Sequence, residues 1–183
     1  MTIKAFLTLF LIGSTTIVGI GQNKIKWLTW AQALEKSKVE KRKIFVDIYT
    51  DWCGWCKKLD ATTFSEDQIA KYLNENYYPV KFNAEMQEPI TLRGREYVFV
   101  KSGRSGYHEL AAQLLQGKLS YPSMVFLDEN FGLIQSIPGY QDVNTFEMII
   151  TYFGSNSHKS VAWQKYMMDF NRNNYFNIYA GKK

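Results

Sequence analysis

Apolar residues along this chain fall into short strand-like runs separated by helical periods. Ile44–Thr50 (I-F-V-D-I-Y-T) is a β-branched and aromatic run, and Tyr78–Ala84 (Y-P-V-K-F-N-A) is a second; both predict buried strands. Before the first run, Thr29 followed by Gln32 has the spacing of a capping box and predicts a helix over Trp30–Glu40. Gly54 to Thr62 can run as a helix, and Ser65 with Gln68 suggests the cap of another that ends near Glu75. Ile90–Val100, with Gly94 at its centre and alternating apolar residues after it, predicts a hairpin. The Gly-rich stretch Ser102–Gly106 is expected to be a loop; it lacks the Lys-Ser/Thr ending of a phosphate-cradling loop. A helix over His108–Gln116 follows.

Ser123–Leu127 and Leu133–Ile137 predict two strands joined by the turn Asp128–Gly132, where Gly132 is expected to supply a positive φ. Asp142 is placed to cap a helix that reaches Phe153. Val161, Trp163, Tyr166, Met167 and Phe170 recur near helical spacing and predict a last amphipathic helix whose apolar stripe packs on the core. Asn171–Lys183 carries no clear period. Strands alternating with helices, closed by an antiparallel hairpin, predict a layered α/β domain around a mixed sheet.

The first residues follow another pattern. Lys4 precedes the apolar stretch Ala5–Ile12, and Gly19 and Gly21 stand at the −3 and −1 positions of a cleavage site before Gln22. Gly13, Ser14, Thr15 and Thr16 interrupt the apolar stretch, which makes it a poor membrane span of about 20 residues. The expectation is a signal peptide over 1–21 and an exported protein, periplasmic or extracellular, with no stable membrane insertion after cleavage. The expected domain then runs over 22–154, and a helical extension and tail fill 155–183.

With 183 residues, 46% of them hydrophobic and 16% aromatic, the chain can build one domain with a sizeable core. Its 22 Lys plus Arg against 17 Asp plus Glu give a net charge of +5. No run of five or six like charges occurs, so a solvated surface is expected and no nucleic-acid partner.

The chemistry lies in the two cysteines, Cys53 and Cys56, in W-C-G-W-C-K. A disulfide across two intervening residues closes a very small loop and would add little as a staple, because the chain-entropy gain grows with loop length. As a redox pair the spacing makes sense. The strand over Ile44–Thr50 would deliver Cys53 to the start of a helix, where free backbone N–H groups favour a thiolate, with Cys56 one turn further in. Cys53 is then the attacking nucleophile and Cys56 the resolving thiol. Lys57 and Lys58 either add positive charge or are simply solvated. The rival for C-x-x-C is half a zinc site; the remaining ligand candidates, His108 and His158, lack ligand spacing, so no metal is expected.

The segment V-D-I-Y-T-D-W-C-G-W-C-K resembles the strand and active site of the thioredoxin superfamily, and the resemblance covers roughly Lys41 to Phe153. Tyr121-Pro122, before Ser123–Leu127, is similar to the family's cis-proline loop. Gly139 matches the glycine after its last strand, and Lys81 a strand lysine that the family pairs with a buried acid. The resemblance implies a thioredoxin-like fold: a central mixed sheet flanked by helices, here with an inserted hairpin and helix over about 86–119 and a C-terminal helical extension. It implies that Asp47 helps deprotonate Cys56, with Lys81 as its partner; the alternative is that Asp47 alternates with Val46 and Ile48 toward a solvated face. It also implies a substrate surface of Trp52, Gly54, Trp55, Tyr121 and Pro122. Trp55 replaces the proline usual between the cysteines, which leaves the choice of partner open.

The expected activity is thiol–disulfide exchange with protein thiols and disulfides, leaning to a reductase or isomerase, with no cofactor beyond the cysteine pair. A membrane-embedded electron donor is an expected partner. A disulfide-forming oxidase, or a binding or chaperone-like module that makes no use of the thiols, are the alternatives. No peroxiredoxin-type P-x-x-x-T-x-x-C motif is present.

Overall fold

The computed structural model describes residues 24–170; the expected leader and the tail from residue 171 lie outside them. The Thr29 hydroxyl accepts from the Gln32 N–H (3.2 Å) and the Gln32 side chain accepts from the Thr29 N–H (2.9 Å), opening α1 (Trp30–Val39). Next comes β1 (Lys43–Tyr49), the strand on which the layers are built. It runs parallel to β2 (Tyr77–Asn83) on one side and antiparallel to β7 (Ser123–Leu127) on the other. β8 (Leu133–Pro138) pairs antiparallel with β7, giving the sheet order β2-β1-β7-β8. Outside β2, Leu28 makes a single parallel bridge to Val80.

Because successive strand residues face opposite ways, β1 feeds two cores. Ile44, Val46 and Ile48 join Trp30 and Ala33 of α1 on one face, with Leu110, Ala111 and Leu114 of α4 (Glu109–Leu114). Phe45 points to the other face, among residues of α2 (Gly54–Ala61), α3 (Asp67–Asn76) and α5 (Val143–Gly154). There its ring meets those of Trp27, Phe64, Tyr77, Phe126 and Phe146 at centroid distances of 5.5–6.5 Å. The result is a mixed α/β fold with a central mixed sheet flanked by helices.

Several local expectations need correction. Ser65 does not cap α3: its hydroxyl turns back to the Ala61 and Thr62 carbonyls, and Glu66 takes the cap position without a side-chain hydrogen bond. In the turn after β7 the positive φ belongs to Phe131 (63°), not Gly132. The Asp128 carboxylate accepts from the N–H groups of Asn130 and Gly132, so the Asx-type turn, and not the glycine, sets the backbone there.

The segment between β2 and β7 holds two hairpins, not one. β3 (Ile90–Leu92) and β4 (Arg95–Tyr97) turn through Arg93 and Gly94, both at positive φ (54° and 79°), the pairing that a type I′ turn requires. The stretch expected as a loop is the tip of a second hairpin, β5 (Phe99–Ser102) with β6 (Ser105–His108). The last helix, α6 (Trp163–Asp169), buries no residue fully and leaves Met167 exposed, so its stripe caps the core edge. Trp163 and Tyr166 still pack on Tyr152.

Phe45 has no exposed surface. Phe45→Ala is expected to lower stability by about 3–5 kcal/mol in chemical denaturation. A loss under about 1 kcal/mol would mean that the aromatic layer is not packed as described.

Candidate active site

β1 ends above the sheet, and the chain turns so that the Cys53 N–H donates to the Thr50 carbonyl (3.1 Å). Cys53, with extended backbone (φ −73°, ψ 104°), is the N-cap of α2, and its sulfur accepts from the Cys56 N–H at 3.0 Å. The sulfur therefore occupies the place where a capping oxygen normally sits, at the positive end of the helix. Cys53 and Cys56 form a disulfide with their Cα atoms 5.3 Å apart, and both residues are buried in this state. Gly54 begins α2, and a Cβ there would touch nothing within 4 Å, so the surface at this position is open.

Two indoles flank the pair. Trp52, 66% exposed, donates through Nε1 to Glu85 Oε2 (3.1 Å) and meets the Tyr121 ring edge-on at 6.0 Å. Trp55, 57% exposed, lies 5.6 Å from the Tyr140 ring, and the Lys58 ammonium sits over both rings at 4.8 and 5.1 Å. Lys58 is thus engaged with the rings beside the site. The Tyr121–Pro122 bond is cis, and the Pro122 carbonyl accepts from the N–H of Gly139, itself at φ +87°. That bond ties the proline loop to the end of β8.

Asp47 follows Phe45 by two on β1 and so faces the layer covered by α2, whose buried residues are Cys56 and Leu59. It is 1% exposed, which removes the solvated-face alternative. Its register partner on β2 is Lys81, and the Lys81 ammonium lies 2.6 Å from Asp47 Oδ2. The same ammonium bonds Asp60 of α2 and lies 5.0–5.4 Å from the ring centres of Trp27, Tyr49 and Phe64. Asp47 Oδ1 accepts no hydrogen bond among the described residues. Burial pushes the Asp47 carboxyl up to about 6, against the pull of Lys81. Burial draws the Lys81 ammonium down, but the Asp47 and Asp60 carboxylates outweigh it and hold its pKa above the ordinary value.

The structure thus brings Cys53, Cys56, Gly54, Trp52, Tyr121 and Pro122 to one end of the sheet, with Trp55 on the other flank and Asp47–Lys81 beneath α2. Sequence reading missed Asp60, Tyr140 and Glu85. Asp60 was within reach, being four residues from Cys56 and so on the same helix face. Tyr140 follows the noted Gly139, but nothing local places its ring against Trp55. Glu85 meets Trp52 only because the chain turns after β2, and no local pattern announces that.

A family model described as Thioredox_DsbH, protein of unknown function, DUF255, matches residues 13–131. An uncharacterized protein of Caenorhabditis elegans is 29% identical over 86 residues, covering 46% of this chain and 12% of that protein. Spermatogenesis-associated protein 20 of Mus musculus is 28% identical over 86 residues, 46% of this chain and 11% of its own length. The match thus spans only about an eighth of these curated relatives. Among solved structures, a DsbH oxidoreductase superposes with TM-score 0.54 at 17% identity, covering 78% of this chain and 93% of that one. A thioredoxin from Thermus thermophilus gives 0.52 at 16% identity, covering 71% and 87%. Likeness at this identity speaks for the fold alone, and with the C-x-x-C disulfide the fold points to a redox role. By fold and by the extent of the family match, this chain belongs to the DsbH-type thioredoxin-like family, DUF255.

Proposed function

We propose that this protein is an exported thiol–disulfide oxidoreductase that exchanges its Cys53–Cys56 pair with protein substrates, in a reductase or isomerase role. The observation that carries the proposal is the Cys53 sulfur at the N-cap of α2, accepting the Cys56 N–H. Donors fixed at that sulfur stabilise a thiolate more than a thiol.

In the reducing direction, the Cys53 thiolate attacks one sulfur of a substrate disulfide. The Cys53–substrate bond forms, the substrate S–S bond breaks, and one substrate sulfur leaves as thiolate. Cys56 then loses its proton and attacks Cys53. The Cys53–Cys56 bond forms and the second substrate sulfur leaves, so two electrons have passed from the enzyme dithiol to the substrate. Asp47 is the acceptor proposed for the Cys56 proton, since a carboxyl titrating near pH 6 is ionised at neutral pH yet basic enough to accept it. Tyr121 and Pro122 would hold an extended substrate chain, with Trp52, Trp55 and Gly54 forming the contact surface. No cofactor beyond the cysteines is needed. Return to the dithiol requires an electron donor, for which a membrane-embedded reductase is proposed. Export rests on the leader-like residues 1–21; no helix among the described residues is long and apolar enough to cross a membrane.

Insulin reduction with dithiothreitol as donor tests the activity. Wild type should accelerate it, Cys53→Ser should fall to the uncatalysed rate, and Cys56→Ser should accumulate a mixed disulfide on Cys53. A wild type as inert as Cys53→Ser would favour a binding module and contradict the proposal. With both cysteines in place, Asp47→Asn should slow resolution of the mixed disulfide by Cys56 by about a hundredfold. Because the ionised carboxylate is the base, the wild-type resolution rate should drop as pH falls through about 6, and the variant should lack this inflection. An unchanged rate and pH profile would remove the role of Asp47.

A further inference from the structure

A polar cleft of about 570 Å³ opens between Asp51 of the active-site loop and the β5–β6 hairpin. Asp51, two residues before Cys53, lines one wall with Asn83 and Glu85; Lys101 and Arg104 of the hairpin line the other. The two walls are tied together at the hairpin base. At the hairpin base the His108 N–H donates to the Ala84 carbonyl (2.6 Å), and His108 Nε2 lies 3.2 Å from the Glu88 carbonyl, so β6 is tied to the turn that carries Glu85. His108 is fully buried, and its Nδ1 accepts from the Leu110 N–H (3.2 Å), which leaves Nε2 to carry the hydrogen. The floor is equally constrained. Phe99 lies across Gly106, where a Cβ would come within 2.2 Å of the ring, so only glycine lets the hairpin close this way.

The charges in the cleft are unequally engaged. Asp51 Oδ2 accepts from Asn83 Nδ2 and Glu85 Oε2 accepts from Trp52 Nε1, each at 3.1 Å. Lys101 and Arg104 make no side-chain hydrogen bond, ion pair or ring contact among the described residues. The uncommitted capacity on the hairpin wall is therefore all donor and cationic: three N–H of Lys101 and five of Arg104. A carboxylate entering from a substrate chain would find charge-assisted donors there. The two carboxylates each accept one hydrogen bond already, whereas both cations lack a partner among the described residues, so the hairpin wall is the less satisfied side.

We propose that this cleft is a substrate subsite that receives an Asp or Glu side chain near the target cysteine, with Lys101 and Arg104 as the specificity-determining residues. The proposal rests on the oxidoreductase reading of Cys53 and Cys56, and adds to it the chemical class of the preferred substrate.

The test compares kcat/KM for disulfide peptides that are identical except for Glu, Gln or Lys on either side of one cysteine. The neutral small disulfide bis(2-hydroxyethyl) disulfide serves as reference. Wild type should favour the Glu peptides over the Lys peptides by roughly threefold to tenfold at low salt, the range for two exposed ion pairs, and less at high salt. The double variant Lys101→Gln/Arg104→Gln should lose the preference while turning over the small disulfide at the wild-type rate. The control Lys36→Gln/Lys71→Gln, equal in charge but on α1 and α3, should keep the preference. Absence of a Glu preference in wild type, its survival in the cleft variant, or its equal loss in the control would each overturn the subsite. Wild type that turns over the small disulfide but shows no preference refutes the subsite alone; wild type that turns over no disulfide refutes the oxidoreductase reading, and the subsite with it.

Discussion

A carboxylate in an apolar layer persists only if its charge is matched or its proton retained, and at Asp47 the Lys81 ammonium matches the charge. β1 lies between two paired strands, so Asp47 cannot turn to solvent without shifting the register that places Ile44, Val46 and Ile48 in one core and Phe45 in the other. The parallel register with β2 sets Lys81 directly opposite. Lys81 in turn reaches Asp60 on α2, so a single ammonium ties β1 and β2 to the helix that Cys53 caps and Cys56 lies in. Such pairs are seldom net stabilisers compared with an apolar core. Here the pair holds an ionisable carboxyl in the layer covered by α2, as the proposed proton transfer from Cys56 requires.

Above that pair the site is assembled from three chain turns that are distant in sequence. The end of β1 supplies Cys53, the turn before β7 supplies Tyr121 and Pro122, and the end of β8 supplies Gly139 and Tyr140. Each is fixed at the same edge of the sheet because β1, β7 and β8 are neighbours. The exposed indoles of Trp52 and Trp55 are held by partners at that edge, Glu85 and Tyr121 on one side and Tyr140 with Lys58 on the other. The result is an aromatic rim at the end of the sheet where the disulfide is buried.

Much of this was legible in the sequence where the physics is local. The capping box of Thr29 and Gln32, the β1 run and the cap at Asp142 rest on residues a few positions apart, and the structure keeps them. Gly94 marked its hairpin because a type I′ turn needs positive φ. The local reading failed where a side chain had two choices: Ser65 bonds backward, and Asp128 does the work assigned to Gly132. The β5–β6 hairpin escaped because its strands are short, polar at the tip and stabilised by a long-range tie through His108. In the site, Asp47 was legible through the resemblance of V-D-I-Y-T-D-W-C-G-W-C-K to the thioredoxin segment, whereas Glu85 depends on a turn that no neighbouring residue specifies.

The proposed chemistry depends on the N-cap position of α2 stabilising the Cys53 thiolate. The most direct measurement is the pH titration of thiolate ultraviolet absorbance in the reduced protein, repeated on Cys56→Ser to isolate Cys53. Cys53 should titrate clearly below the ordinary cysteine value of about 8.5 in both proteins. A value at or above about 8.5 would contradict it.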